Sequence, residues 1–217
     1  MSAELIALLL KASGETIRMV AVSMLAATLL GIPLGVLLLV TGKRQILECT
    51  TLNRVLAAVI NAVRSVPFII LMVAIIPFTR LIAGTSIGTT AAMVPLTIAA
   101  IPFIGRQVET SLREVPYGII EAALAMGASP FQIIRRVYLP EAMPGIVAQL
   151  TTVVIALVGA SAMAGAIGGG GLGDLAIRFG YQRFRPEVML ATIVVLVVLV
   201  QFIQFAGNQL SRRLNKK

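Results

Sequence analysis

Histidine is missing from this 217-residue chain, and cysteine and charge are scarce. With no histidine and a single cysteine, Cys49, the chain cannot form a disulfide within itself and has too few ligands for a Cys/His metal site. Charged residues make up 12% of the sequence, against about a quarter in a soluble domain, while 58% of residues are hydrophobic. This composition excludes an ordinary soluble domain and predicts a polytopic membrane protein.

The nine carboxylates are outnumbered by eighteen Lys and Arg, which gives a net charge of +9. In a soluble protein this excess would suggest nucleic acid as a partner. Here the basic residues lie between apolar runs, so membrane topology accounts for them. The expected surroundings are therefore a lipid bilayer, with no nucleic-acid partner.

No carboxylate is expected deep inside a membrane span, because all nine fall in loops or at the ends of apolar runs. A proton relay would need one there. The sequence also has no phosphate loop of the G-x-x-x-x-G-K-[ST] kind. We therefore predict no catalytic, cofactor-binding or metal-binding residue, and a pump built on this chain must draw its energy from a protein partner.

Five apolar runs are long enough to cross the membrane, which takes about 20 residues. They cover residues 17–42, 55–79, 89–107, 142–167 and 188–210 of a single membrane domain, 1–217. The segment before them, MSAELIALLLKASGETIR, lacks the features of a signal peptide, and we expect it to stay on the chain as a short interfacial helix. The predicted fold class is an all-α polytopic membrane protein.

Five spans put the termini on opposite sides of the membrane, and positive charge then selects the orientation. With the C-terminus inside, twelve of the eighteen Lys and Arg are cytoplasmic: Lys43, Arg44, Arg54, Arg64, Arg106, Arg113, Arg135, Arg136, Arg212, Arg213, Lys216 and Lys217. A cluster at Arg178, Arg183 and Arg185 runs against the rule. The prediction is N-terminus outside and C-terminus inside. An odd number of spans without an internal repeat cannot supply two matched halves, so a closed pathway needs a second copy, most simply in a two-fold dimer.

Residues 116–140, here called the elbow, lie between the third and fourth spans and carry the sequence EAALAMGASPFQIIRRVYLP from Glu121 onward. Pro116 and Tyr117 can start a first helix, and Gly127 suits the position just past its end. Three alanines on this helix predict a surface that another protein can approach closely: Ala122, Ala123 and Ala125.

A second short helix follows directly. Ser129 is a good N-cap, Pro130 suits the first helical position, and Gln132 completes an S-x-x-Q capping box. Pro140 is expected to stop this helix before the fourth span. Two short helices meeting at a tight corner fit a handle for a cytoplasmic partner, and they equally fit an amphipathic hairpin that lies on the membrane.

The elbow resembles the EAA loop of ABC importer permeases, E-A-A-x3-G-x9-I-x-L-P. Six positions match, and Val137 replaces the usual isoleucine; the matching residues are Glu121, Ala122, Ala123, Gly127, Leu139 and Pro140. In that family the two helices are coupling helices that fit a groove on a cytoplasmic ATPase subunit. The resemblance therefore implies coupling to an ATPase, and it assigns this role to the matching residues, to Val137, and to the corner residues Ala128, Ser129 and Pro130.

The likeness extends over residues 16–207. NAVRSVPFIILMVAIIPFTR, GTSIG, VPLTIAAIPFIGR and GGGGLGDL are similar to segments of the permease subunit of bacterial methionine importers. This implies a type I importer fold in the cytoplasmic membrane, a homodimer, two separate ATPase subunits and an external methionine-binding lipoprotein. Polar amino-acid importer permeases share an arginine-x-x-proline element like Arg64 to Pro67, so they remain the alternative.

Three residues are candidates for the pathway or its gate. Arg64, inside the second span, could line the pathway, clamp a neighbouring helix, or reach back to the interface. The small residues from Gly159 onward fit close helix packing, or a pathway narrowed by Ser161 with Met163 as an apolar gate.

Two segments with charged residues lie at the ends of the predicted spans. The glycine run at 168–171 with Asp174 is expected to form a long outer loop, either a solvated connector or a contact for the binding protein. Spacings of three and four predict ion pairs on a solvated helix face among Arg106, Glu109, Arg113 and Glu114.

Two other classes of protein fit the sequence less well. A membrane enzyme is disfavoured, since no histidine, buried carboxylate pair or serine–base arrangement is visible. A stand-alone channel or secondary carrier would not need the elbow and would transport without an ATPase.

Overall fold

The computed structural model describes residues 3–215, and within that range the chain is helical, with short turns and no strand. Two of the lysines counted for orientation, Lys216 and Lys217, lie outside the described residues. The α-helices are Ala3–Val40 (α1), Thr50–Ser65 (α2), Phe68–Ala74 (α3), Ile76–Ala83 (α4), Thr89–Arg113 (α5), Tyr117–Ala125 (α6), Pro130–Ile133 (α7), Leu139–Ala164 (α8), Gly171–Leu175 (α9) and Pro186–Leu214 (α10). Three π-helical segments join them at Ile134–Tyr138, Gly165–Gly169 and Ala176–Tyr181. The prediction of an all-α membrane fold is confirmed.

Within the described residues, four helical stretches are long and apolar enough to cross a membrane: Glu4–Val40, Thr89–Arg113, Pro130–Gly169 and Pro186–Leu214. The third is kinked near its end, at Ile167 and Gly168. A fifth span exists if α2 and α3 are taken together as one broken span. The observed helices extend past the predicted span limits, because a helix does not have to end where the hydrocarbon ends.

The second predicted span, 55–79, is broken into three helices. α2 ends at Ser65, α3 begins after Pro67, and the two are bent by 101° at this break. α4 begins at Ile76 with Pro77 in its first turn. Each proline lacks the N–H that would continue the preceding helix and restricts the residue before it, which accounts for both breaks.

The amino-terminal segment is not a separate interfacial helix, and this expectation was wrong. It is the beginning of α1, which runs unbroken to Val40. Leu5, Leu9 and Ala12 recur at helical spacing and are buried, and Thr16 and Met19 continue the same face. Burial of this stripe extends the first helix well before the apolar run that predicted it.

Pro140 does not stop the second elbow helix, which corrects another expectation. The helix continues through the π-helical segment Ile134–Tyr138 into α8. Leu139 N–H bonds to the Ile134 carbonyl, five residues back, so the turn before the proline is widened. A π-helical turn of this kind accommodates a residue without a backbone N–H inside a continuous helix.

The chain folds into two compact units, each built from three stretches of sequence. Unit 1 contains residues 1–27, 66–100 and 154–204, and unit 2 contains residues 28–65, 101–153 and 205–217. Unit 2 holds the elbow together with parts of the long helices. Unit 1 contains a second corner where the chain changes direction between helices, at residues 165–175, here called the glycine corner.

The glycine corner is not a solvated connector, which was one of the two alternatives considered for it. Leu172 and Leu175 of α9 are buried in a cluster with Leu5, Leu9 and Val188. Polar groups on α1 also reach this short helix: Gly171 N–H donates to Glu15 Oε2 at 2.8 Å, and Leu172 N–H donates to Thr16 Oγ1 at 2.9 Å. Two of the orphan donors at the start of α9 are thus satisfied by side chains 156 residues earlier in the chain.

Candidate coupling surface

The first elbow helix, α6, is held by its inner face. It begins at Tyr117 after Pro116, as predicted. Ile120 and Ala123 are buried, while Glu121 and Ala122 are exposed. The predicted alanine surface is therefore wrong at Ala123, whose side chain packs inside unit 2, and it holds at Ala122 and Ala125.

A glycine ends this helix. Gly127 has a φ of 78°, in the left-handed region where glycine avoids the Cβ penalty of other residues. Its N–H bonds to the Leu124 carbonyl at 2.9 Å, and Ala128 N–H bonds to the Ala123 carbonyl at 3.1 Å. This pair of bonds is the Schellman motif, which satisfies two carbonyls that the helix end would leave open.

A capping box starts the second helix, as predicted from the residues alone. Gln132 N–H donates to Ser129 Oγ at 3.4 Å, and Ser129 N–H donates to Gln132 Oε1 at 2.8 Å. Pro130 occupies the first turn, where its missing N–H costs nothing. Schellman motif and capping box together fix the corner between α6 and α7 by local hydrogen bonds.

The corner presents large apolar side chains to the outside. Met126 is 82% exposed, Phe131 69% and Leu124 44%. Exposed apolar side chains gathered at one turn are typical of a surface that another protein covers. The sequence prediction emphasised the alanines and missed Phe131 and Met126. Met126 precedes the turn glycine and Phe131 follows the N1 proline, and these positions at the corner could have indicated their exposure.

A buried tyrosine connects the elbow to the segment between α1 and α2. Tyr138 lies at the end of the π-helical segment, and its hydroxyl donates to Gln45 Oε1 at 3.0 Å. That segment is itself fixed, because Asn53 Nδ2 donates to the Leu38 carbonyl at 2.6 Å and to Thr41 Oγ1 at 3.1 Å. The base of the elbow is therefore attached to a structured turn rather than to a loose loop.

The predicted ion pairs on α5 form, but their centre is buried. Glu109 is 3% exposed and accepts hydrogen bonds from Arg106 Nη1 at 2.7 Å and Arg113 Nη2 at 2.7 Å. Arg106 Nη2 also donates to Asn61 Oδ1 on α2 at 3.0 Å. The expectation of a solvated face is wrong at Glu109, and the cluster instead ties α2 to α5 within unit 2.

Arg64 stacks on an aromatic ring. Its guanidinium carbon lies 4.8 Å from the centroid of the Phe103 ring on α5, within the range of a cation–π interaction. Among the three roles considered for this residue, the contact corresponds to a clamp between neighbouring helices.

The two candidates from the fourth span lie in different surroundings. Ser161 is 1% exposed, and its hydroxyl donates to the Val158 carbonyl at 2.7 Å. Met163, two residues on, is 52% exposed. The structure therefore separates the pair: only Met163 offers its side chain to a surface of this chain.

Taken together, the geometry defines a helical membrane protein with an exposed apolar corner that local hydrogen bonds fix. Comparison with known proteins agrees with this class. Residues 27–216 match the family described as "Binding-protein-dependent transport system inner membrane component". The chain belongs to this family.

Individual relatives are similar over three quarters of the chain or more. A Vibrio cholerae protein named "Probable D-methionine transport system permease protein MetI" is 56% identical over 97% of this chain and 93% of its own length. The "D-methionine transport system permease protein MetI" of Escherichia coli strain K12 is 53% identical over 76% of each chain. A solved structure described as an inward-facing conformation of the MetNI methionine ABC transporter superposes with a TM-score of 0.98 at 50% identity, covering 100% of both chains.

Proposed function

We propose that this chain is the membrane-spanning subunit of an ATP-driven methionine importer in the bacterial cytoplasmic membrane. Two copies form the translocation pathway, two cytoplasmic ATPase subunits supply energy, and an external binding protein delivers the substrate. The observation that carries the proposal is the full-length agreement with a chain of a methionine ABC transporter. The capped elbow, with its exposed Met126 and Phe131, supports the coupling role independently.

Movement of the elbow can reach the membrane because the second elbow helix continues directly into the fourth span. The helical stretch that begins at Pro130 continues through the π-helical segment Ile134–Tyr138 to Ala164. ATP draws the two ATPases together, each moves the elbow docked in its groove, and the continuous helix carries that displacement into the span. The dimer then opens outward, accepts methionine, and returns after hydrolysis. On this view the π-helical segment matters because it keeps α7 and α8 in one rod despite Pro140.

Uptake of labelled methionine by vesicles tests the proposal. The vesicles contain this chain, its ATPase and the binding protein, with ATP on the ATPase side. We expect accumulation that requires both ATP and the binding protein. No uptake of labelled methionine, together with uptake of labelled glutamine or histidine that requires ATP and the binding protein, would instead support the polar amino-acid alternative. Accumulation by the purified chain alone would contradict the proposal in favour of a secondary carrier.

The single cysteine tests the orientation. Cys49 is exposed in the turn between α1 and α2, a turn that lies inside if the N-terminus is outside. A membrane-impermeant maleimide should leave it unlabelled in intact spheroplasts and label it after permeabilisation. A variant that combines C49S with Y181C should show the opposite pattern, because Tyr181 is exposed on the predicted outer side. Labelling of Cys49 in intact spheroplasts would reverse the assignment.

A further inference from the structure

One carboxylate of the charged group at the end of α5 has no partner. Glu109 takes both arginines of that group, Arg106 and Arg113. Glu114 is exposed, and its carboxylate makes no ion pair or hydrogen bond with the part of the chain that the structure describes. This negative charge is therefore available to a cation from outside the chain.

A hydroxyl three residues earlier is also unused. Ser111 is 3% exposed, and its Oγ makes no hydrogen bond within the described residues, whereas Thr110 Oγ1 donates to the carbonyl four residues back at 3.0 Å, the usual bond of a helical hydroxyl. Among the described residues, Thr79 Oγ1 is the side-chain nitrogen or oxygen that is both unbonded and fully enclosed. Ser111 Oγ is unbonded too, so it belongs to the small part of Ser111 that remains accessible.

Ser111 and Glu114 line the same cavity of about 410 Å³ in unit 2. Gly145, at the start of α8, lies on its wall, and the point where a Cβ of this glycine would stand is 3.3 Å from Ser111 Oγ and 3.7 Å from Glu114 Oε2. Both oxygens thus face one spot. Glu141 adds a second carboxylate to the wall, and no lysine or arginine of the described chain lines the cavity.

The cavity lies where membrane-spanning helices end. Its walls come from the end of α5, the start of α8 and the end of α10, each part of a stretch that is long and apolar enough to span. α10 has 29 residues and is about 43 Å long at 1.5 Å per residue, which matches a bilayer measured with its headgroups. Leu214, the last residue of α10, lies on the wall. The cavity is therefore at the level of the lipid headgroups.

The chemistry of the walls restricts the ligand. Carboxylates and a hydroxyl without a nearby cation favour a positive group and disfavour an anionic headgroup. A primary ammonium has three N–H donors for these oxygens, and hydrogen bonds between charged groups are the strong ones. A choline group carries the same charge but has no N–H to donate. Arg212 and Arg213 precede Leu214 in the last turn of α10, where a phosphate attached to the ammonium finds positive charge.

From these observations we propose that the cavity binds the ethanolamine headgroup of a membrane phospholipid, with its ammonium donating to Ser111 Oγ and to the Glu114 carboxylate. The inference does not depend on the identity of the cargo. Pro116, directly before the first elbow helix, and Pro140, at the other end of the elbow, both line the cavity. A bound headgroup therefore connects the base of the elbow to the bilayer.

Native mass spectrometry of the purified full-length chain, with the ATPase that copurifies with it, tests the preference. The protein is stripped of lipid in detergent and given equal amounts of phosphatidylethanolamine and phosphatidylcholine with the same acyl chains. We expect about ten-fold more phosphatidylethanolamine to be retained, as charge-assisted hydrogen bonds would give. Equal retention, or preference for phosphatidylglycerol, would overturn the site. Displacement by an equal concentration of glycerophosphoethanolamine, which has no acyl chains, would identify a soluble amine and overturn the lipid assignment.

Two variants connect the preference to the named oxygens. Glu114→Gln keeps the shape and removes the charge, so the preference should fall about ten-fold, and Ser111→Ala should lower it about five-fold. Glu187→Gln is the matched control, an exposed carboxylate at the other end of α10, and should leave the preference unchanged. Without lipid, both variants should melt like wild type, because neither group has a partner in the described chain; added phosphatidylethanolamine should raise the melting temperature of the wild type more than theirs. An undiminished preference in both variants would contradict the proposal.

A carbodiimide identifies the group that sits beside Glu114. This reagent joins a carboxylate to a primary amine as an amide, and the oxygen that is lost leaves in the urea by-product. In membranes that contain phosphatidylethanolamine, we expect the peptide with Glu114 to carry the lipid, and Ser111→Ala to carry less of it. Attachment of Glu114 to a lysine of the ATPase instead, unaffected by added phosphatidylethanolamine, would assign the cavity to the partner protein and overturn the inference.

Discussion

Both the elbow and the glycine corner turn the chain with glycine, but the residue serves a different physical purpose in each. At Gly127 in the elbow, an added Cβ would meet nothing within 4 Å, and glycine is needed only for the positive φ. At Gly165 in the glycine corner, a Cβ would lie 2.5 Å from the Asp174 backbone nitrogen and 2.7 Å from the Gly170 carbonyl oxygen. One turn is open to another molecule, and the other is closed by its own backbone.

This difference agrees with the use proposed for the elbow. The elbow combines local caps with outward apolar side chains, so it keeps its shape without being covered by its own chain. The glycine corner is buried against α1 and depends on contacts from distant residues. A surface that must receive a partner is thus specified locally, and a part that must stay fixed is specified by packing.

The largest loss of stability is expected when a side chain is added at Gly165. Gly165→Ala places a methyl group against backbone atoms that cannot move aside, and overpacking of this kind costs about 3 kcal/mol. We expect a clearly lower melting temperature in detergent and poor accumulation in the membrane. Gly159→Ala is the control on the same helical stretch, since its Cβ meets nothing within 4 Å. Equal melting temperatures for the two variants would contradict the role given to Gly165.

The next largest loss of stability is expected at the buried ion cluster of unit 2. Glu109→Gln keeps the shape of the side chain but removes the charge that Arg106 and Arg113 share, and charge-assisted hydrogen bonds of this kind contribute about 2 kcal/mol. The melting temperature should fall. Glu187→Gln offers the contrast in unit 1, because its bond to Arg185 is exposed and should be without effect on melting. Equal responses would mean that the burial of Glu109 is unimportant.

A change at the open turn should affect transport more than stability. Gly127→Asp is tolerated by the backbone better than most substitutions, because Asp visits the left-handed region. Its charge and bulk face the partner, so ATP-driven methionine uptake should fall about ten-fold, equivalent to about 1.4 kcal/mol in the docked state. The melting temperature of the permease should stay near that of wild type. Uptake at the wild-type rate would contradict the coupling role of the elbow, and Gly127→Asn distinguishes bulk from charge.

The smallest effect is expected at the cap. Ser129→Ala removes the side-chain acceptor of the capping box, and losses of this kind cost about 1 kcal/mol. Uptake should fall slightly and amide exchange at the start of α7 should become faster. Ser129→Asp restores an acceptor and should recover both. Failure of aspartate to rescue would mean that the corner is held by something other than its cap.

The sequence predicted the features that local residues determine, and it missed most of those that depend on distant contacts. The caps at Gly127, Ser129 and Gln132 were predictable, because each bond joins residues within a few positions. The all-helical membrane fold was predictable from the apolar runs. The breaks at Pro67 and Pro77 were missed because the span was judged by hydropathy, although proline carries a local signal that could have been used.

The remaining features depend on residues far apart in the chain. The bond between Tyr138 and Gln45 joins positions 93 apart, and the burial of α9 depends on α1. Glu109 looked solvated because its partners were read along one helix, while its burial comes from neighbours on other helices. Local patterns carry no signal for such contacts, so these parts required the structure.

The two bonds from Glu15 and Thr16 to the start of α9 have a consequence for biosynthesis. A ribosome releases α1 long before it releases the segment around residue 171, so the receptor for that segment is already in the bilayer when the segment arrives. Within lipid, backbone donors left without acceptors cost several kcal/mol. In a chain shortened to begin after Thr16, the backbone donors of Gly171 and Leu172 would therefore enter the membrane without the acceptors that satisfy them here.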